Sequence, residues 1–169
     1  MAKIAIHGFG RIGRSLLRAA LKHGLFVPVS ISDIRDAQTF AALFEVDTNY
    51  SRWHEEVKAT DNSITIGGRE IPYINSMQAL PDWAAMGVDL VIDCTGRATT
   101  RAGAQPHLDK GAKRVLVSAP SKSTDDCDAV LLRGINAEKY DPAKHKIVSM
   151  ASCTTNALAP VVKVLQEGW

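Results

Sequence analysis

The chain has 169 residues, 46% of them hydrophobic, and its 20 Lys and Arg against 18 Asp and Glu leave a net charge of +2. Such a chain can build one domain with a true core, and it offers no Lys/Arg block for nucleic-acid or membrane-surface binding. Its apolar runs fall far short of the roughly 20 residues of a membrane span. Cys94, Cys127 and Cys153 form no Cys-x-x-Cys pair, which argues against a disulfide framework or a metal site and for a reducing, cytoplasmic setting. A strand signal opens at residue 3, so no signal peptide is expected before it.

Residues 3–7 read as a strand, 11–23 as a helix ended by Gly24, 26–31 as a second strand and 37–45 as a short helix. Residues 54–60, 63–66 and 69–74 read as an antiparallel insert, with turn signals at Asp61-Asn62 and Gly67-Gly68. The alternation resumes with a strand at 89–93, a helix at 100–110 closed by Gly111, and a strand at 114–118. Residues 129–132 and 146–149 are further strands, and 153–167 a helix that Pro160 should bend or loosen. Nearly all-apolar runs such as 88–92 suit a parallel sheet covered on both faces. The pattern predicts an α/β fold: a Rossmann-type, doubly wound, mostly parallel sheet with a small antiparallel insert.

Gly8-Phe9-Gly10-Arg11-Ile12-Gly13 follows the first strand and opens the first helix, and Asp33 stands twenty residues past Gly13 at the end of the next strand. That context makes a short glycine motif a dinucleotide signal. Gly8 permits a tight turn, Gly10 admits the pyrophosphate to the backbone, and Gly13 allows close helix–strand packing. The N–H groups near Arg11 and Ile12 then meet the phosphates. Asp33 can accept ribose hydroxyls and repel a 2′-phosphate, which favours NAD over NADP, although Arg35 close by can accommodate that phosphate.

The three thiols differ. Cys94 follows the apolar strand and reads as a packed small residue, whereas Cys127 lies among Asp125, Asp126 and Asp128, a poor setting for a nucleophile. Cys153 stands in Ala151-Ser152-Cys153-Thr154-Thr155-Asn156, where a loop enters an apolar helix. A helix N-terminus favours the nucleophilic thiolate. The same cluster reads as an N-cap, with Ser152 or Thr154 on the helix N–H groups. The nucleotide-binding pattern ahead of it tilts the balance toward catalysis.

These motifs extend to residues 8–14, Asp33, Cys94-Thr95-Gly96, residues 107–120, Gly134-Ile135-Asn136 and residues 151–160. Together they resemble the phosphorylating glyceraldehyde-3-phosphate dehydrogenase family along essentially the whole chain. The resemblance implies an NAD-binding Rossmann domain over residues 1–150. Residues 151–169 would be the first helix of a catalytic domain whose remainder is absent. It further implies Arg11 and Ile12 at the pyrophosphate, Asp33 at the adenosine ribose, and Thr95, Gly96 and Ser118 along the cofactor. Cys153 would be the nucleophile, with Ser152 and Thr154 on the phosphate side of the substrate site. The implied reaction is glycolytic: oxidation of a small phosphorylated aldehyde through a cysteine thioester that phosphate cleaves. A homo-oligomer, a tetramer for the full-length enzyme, is implied as well.

The chain departs from the family pattern at several places. Ala98 replaces the usual aromatic residue, and Asp47-Thr48-Asn49-Tyr50-Ser51 replaces Asp-Ser-x-His-Gly. Residues 76–81 replace an Arg-Asp-Pro segment, and Met150 replaces Asn. The 78–81 stretch and the lost aromatic look closer to the erythrose-4-phosphate dehydrogenase branch, so the chain is read as a divergent paralogue. A stand-alone NAD-binding regulatory module is the alternative from another class. The activating histidine and the phosphate-binding arginines are expected beyond these residues. His7, His23, His54, His107 and His145 are accordingly read as structural or solvated, and the chain as a cofactor-binding portion without complete turnover. The apolar helix at 158–165 is expected to be exposed and to drive self-association.

Overall fold

In the computed structural model, which describes residues 2–168, β1 (Ile4–His7) leads into α1 (Arg11–Lys22). The strand buries both faces: Ala5 and Ile6 are fully buried and belong to different core clusters. α1 turns Gly13, Leu17 and Ala20 inward. The next strand, β2, is Ser30–Asp33 rather than the predicted 26–31. Pro28 has no N–H to give a ladder, and the first sheet contact after it is the bond from Val29 N–H to Ile4 O at 2.8 Å.

α2 (Ala37–Glu45) is capped by Asp36, whose Oδ1 accepts the Thr39 N–H at 2.6 Å. Then β3 (Val46–Asp47) and β4 (Ser51–Arg52) form a two-stranded antiparallel pair. The buried guanidinium of Arg18 holds the pair in place. It donates to Phe44 O and to Ser51 O at 3.1 Å, and it lies 5.2 Å from the Phe44 ring centroid. This combines charge-assisted hydrogen bonds with cation–π attraction.

β5 (Val57–Ala59), β6 (Ser63–Ile66) and β7 (Arg69–Asn75) form the expected antiparallel run. It is not a separate layer, because β7 also pairs parallel with β2 and sets Tyr73 beside Ile31. α3 (Trp83–Met86), which the sequence pattern did not predict, is a single turn between Asp82 and Gly87. β8 (Leu90–Asp93), α4 (Arg101–Asp109) and β9 (Arg114–Val117) follow. β10 (Ala129–Val130) stops two residues early, since Asn136 Oδ1 takes the Leu132 N–H at 2.8 Å. β11 (Ile147–Ser149) ends the sheet, and α5 (Cys153–Gly168) runs on through Pro160.

The sheet order is β10-β11-β9-β8-β1-β2-β7-β6-β5. All pairings from β10 to β7 are parallel. From β1 the chain winds first to β2 and β7 and later to β8 and β9. The reversal opens a crevice at the carboxyl ends of β1, β2 and β8. One core cluster gathers Phe9, Leu17, Phe40, Phe44 and Trp53, and another packs Ala5, Trp83, Val88 and Val91. Each large side chain so buried contributes roughly 1.5–3 kcal/mol. No residue of α5 is buried, and Leu158, Val161, Val162, Val164 and Leu165 are exposed. Among the described residues no helix is long and apolar enough to cross a membrane.

Candidate cofactor site

Past His7 the chain reverses through Gly8 at φ +88°, a conformation that side chains resist. A Cβ there would stand 2.6 Å from Thr95 N, and one on Gly13 would stand 2.2 Å from Gly8 O. These two glycines let the turn pack against α1 and the end of β8. Gly10 differs: among the described residues nothing beyond its own chain neighbours lies within 4 Å of its Cβ position, and it lines the crevice. It is the N-cap of α1, with no side-chain cap and no acidic residue in the first turn. The amides of that turn, including Arg11 and Ile12, are thus available to an anion.

Asp33 closes the other side. Its Oδ2 accepts the Phe9 N–H at 2.5 Å and its Oδ1 accepts the Ile34 N–H at 2.6 Å. Each oxygen keeps a further lone pair for a ribose hydroxyl. The cleft, of about 470 Å³, is lined by Gly8, Gly10, Asp33 and Thr95, together with His7, Ser76, residues 77–80 and Arg97. Among the described residues Ser76 Oγ is buried there without a hydrogen-bond partner, which marks a place for a polar ligand atom. The open position over Gly10, the orphaned Ser76 hydroxyl and the Asp33 carboxylate together fit an adenosine diphosphate moiety.

A polar relay forms the floor. The Trp83 indole N–H can only donate, so His107 Nδ1 accepts it at 3.1 Å, and His107 Nε2–H donates to Asp93 Oδ2 at 3.1 Å. Asp93 Oδ1 accepts the Thr95 N–H at 2.9 Å and the Thr95 hydroxyl at 2.7 Å. Burial pushes the Asp93 carboxyl up, but the His107 and Thr95 donors outweigh it and hold the group below the usual carboxylate range. This network fixes the turn through Thr95 and Gly96. Potential metal-ligand atoms of His7, Asp93 and His107 lie within 4.8 Å of one another. His107 Nε2 carries a proton, however, and offers a cation no lone pair.

Beyond β11 the backbone makes an elbow. Ala151, though not glycine, has φ +60° and is buried, with its N–H on Ser149 Oγ at 3.1 Å. Ser152 Oγ accepts the Thr155 N–H at 3.0 Å, so it caps α5, and Asn156 Nδ2 donates to Met150 O at 2.8 Å. Cys153 is the first residue of the helix and is exposed, without a hydrogen-bond partner among the described residues. Cys94 and Cys127 are buried, and burial pushes the Cys94 thiol up to about 12. β11 runs parallel to β9, β8 and β1. Cys153 therefore follows the same edge of the sheet as the glycine turn.

Of the predicted residues, the crevice gathers Gly8, Gly10, Asp33 and Thr95 in its lining. Arg11, Ile12 and Gly13 form the adjoining helix turn, and Gly96 follows Thr95. Ser118 lies just past β9, its N–H on Asp93 O at 2.9 Å. Ser152, Cys153 and Thr154 do not line this crevice; Thr154 borders a separate groove with Leu158 and Val162. His7, Ser76 and Asp93 also line the crevice, although the sequence reading assigned none of them to the cofactor. For His7 a signal existed: a polar residue ends an apolar strand directly before the glycine turn.

A doubly wound sheet with a glycine turn and an acidic strand end at its crevice defines a dinucleotide-binding domain. The family model described as "Glyceraldehyde 3-phosphate dehydrogenase, NAD binding domain" matches residues 2–101. Glyceraldehyde-3-phosphate dehydrogenase of Geobacillus stearothermophilus is 44% identical over 168 residues, covering 98% of this chain and 49% of that protein. Its counterpart in Kitasatospora aureofaciens is 46% identical over 170 residues, covering 99% and 50%. The chain belongs to the glyceraldehyde-3-phosphate dehydrogenase family, and its cofactor is NAD. It spans about half the length of these curated relatives.

Proposed function

We propose that this chain is the cofactor-binding portion of an NAD-dependent dehydrogenase that oxidises a small phosphorylated aldehyde through a thioester on Cys153. The observation that carries the reading is the exposed Cys153 at the start of α5, on the sheet edge that holds the glycine turn and Asp33. In this reading the first turn of α1 holds the pyrophosphate and Asp33 accepts ribose hydroxyls. Thr95, Gly96 and Ser118 border the path toward the reacting end.

NAD, when bound, supplies the hydride acceptor. The Cys153 thiolate attacks the aldehyde carbon, forming a C–S bond while the carbonyl oxygen takes a proton. Once hydride and that proton have left, the sulfur holds an acyl group as a thioester. Phosphate then attacks the acyl carbon, the C–S bond breaks, and the thiolate returns. Ser152 and Thr154, whose hydroxyls lie 2.9 Å apart beside the sulfur-bearing residue, are assigned to the phosphate groups. Cys153 has no base partner among the described residues, so these 169 residues alone should bind NAD without sustained turnover.

The test is NADH formation from glyceraldehyde-3-phosphate and from erythrose-4-phosphate, with phosphate present. The protein assayed joins this sequence to the second half of the Geobacillus stearothermophilus relative. Phosphate-dependent NADH formation should drop on the order of 10³-fold in Cys153→Ser. Turnover that survives the substitution would exclude the thioester. The exposed Leu158, Val161 and Leu165 support a homo-oligomer as well. Light scattering that finds only monomer at high concentration would contradict that assignment.

A further inference from the structure

His7 is the last residue of β1 and stands directly ahead of Gly8. Its half-buried ring lines the cofactor cleft. Nδ1 lies 2.8 Å from Ser32 Oγ, and Nε2 has no hydrogen-bond partner among the described residues. The groups that face the ring are Asp33 from β2, Asp93 from β8 and His107 from α4. The His107 ring stands edge-on with centroids 4.9 Å apart. Both nitrogens of His107 are engaged, by the Trp83 indole and by Asp93, whereas Nε2 of His7 is open to a proton. The Ser32 hydroxyl rotates to accept from Nδ1–H as readily as it donates to bare Nδ1.

We propose that His7 is a further cofactor-contacting residue, whose imidazole takes up a proton as NAD enters, so that NAD affinity rises as pH falls. Burial, then the neighbouring His107, keep the free ring below its ordinary titration range, with Asp93 and Asp33 pulling the other way. The pyrophosphate of NAD brings two negative charges to the turn that begins one residue later. This favours the protonated ring. By linkage, a ligand that binds the protonated form better raises the affinity of that form for its proton by the same factor. The inference rests on NAD occupying the cleft described above.

The experiment is calorimetry of NAD binding to the 169-residue chain at about pH 6 and about pH 8, on either side of ordinary histidine titration. The expected dissociation constant is about fivefold lower at the acidic value, a size set by one partly screened unit charge near the pyrophosphate. His7→Asn retains a hydrogen-bonding side chain but gains no proton, so its affinity should be flat with pH. As a second measurement, the His7 ring is titrated by NMR with and without NAD, and its midpoint should move up when NAD is bound. Equal affinity at both pH values, a pH dependence that persists in His7→Asn, or a ring titration that NAD leaves unmoved would each overturn the proposal. Absence of NAD binding at either pH would overturn the cleft assignment and this proposal with it.

Discussion

The carboxylate of Asp33 accepts the main-chain N–H of Phe9 at 2.5 Å, so the end of β2 is tied to the glycine turn that follows β1. One side chain thus shapes the turn that receives phosphate and presents the oxygens that receive ribose. Asp33→Ala should weaken NAD at least about tenfold, the scale of one hydrogen bond to a charged group. It should also narrow the preference over NADP, since the repulsion of a 2′-phosphate is gone. Calorimetry with both cofactors decides this, and heats unchanged by the substitution would contradict it.

Gly10 and Gly13 separate binding from folding. Gly13→Ala sets a methyl 2.2 Å from Gly8 O, and the forced shift should cost about 2–3 kcal/mol of stability. Gly10→Ala meets nothing within 4 Å, so stability should fall by no more than about 1 kcal/mol, the scale of an N-cap change. Yet its methyl enters the cleft, and NAD binding should weaken at least about tenfold. Urea unfolding paired with calorimetry measures both. If Gly10→Ala binds NAD normally, the backbone approach at that residue is wrong.

The cysteines should differ in reactivity. Native chain treated with iodoacetamide near neutral pH should be alkylated at Cys153, while Cys94 and Cys127, both buried, react only after unfolding. Burial has pushed the Cys94 thiol up to about 12, which removes its thiolate at neutral pH. Peptide mass spectrometry reads the sites. Modification of Cys94 ahead of Cys153 would overturn the assignment.

Asp93 links stability to pH. Burial raises its pKa, but the His107 and Thr95 donors leave it depressed in the folded state. Its stabilisation is therefore fully present above the unfolded carboxyl pKa of about 3.9. It is lost as pH falls through the lower folded value. His107→Ala leaves Asp93 Oδ2 and the Trp83 N–H without their partner in the interior, although Thr95 still donates to Oδ1, and should cost about 3 kcal/mol at neutral pH. Part of wild-type acid sensitivity should disappear with it. Chemical denaturation across pH checks both, and a His107→Ala chain as stable as wild type would show the relay to be incidental.

Much of the fold was legible where local chemistry sets it. Asp36 caps α2, and the predicted span 37–45 matches Ala37–Glu45. The second strand was misplaced because its β-branched and aromatic run spans Pro28, which interrupts the ladder. α3 was missed although Asp82 and Gly87 cap it, since one turn is too short to show helical periodicity. The site divides in the same way. Gly8, Gly10 and Gly13 are close in sequence and Asp33 ends the next strand, so the motif was readable. The Trp83–His107–Asp93 relay joins residues 14 and 24 positions apart, and only the packing of β8 against α3 and α4 brings them together.

The most direct test of the central claim is a crystal structure of this chain with NAD. The adenosine ribose is expected on the Asp33 carboxylate, the pyrophosphate on the first-turn amides of α1, and the nicotinamide end directed past Thr95 toward Cys153. A dinucleotide seated away from Gly10 and Asp33, or one whose nicotinamide end points away from β11, would contradict it.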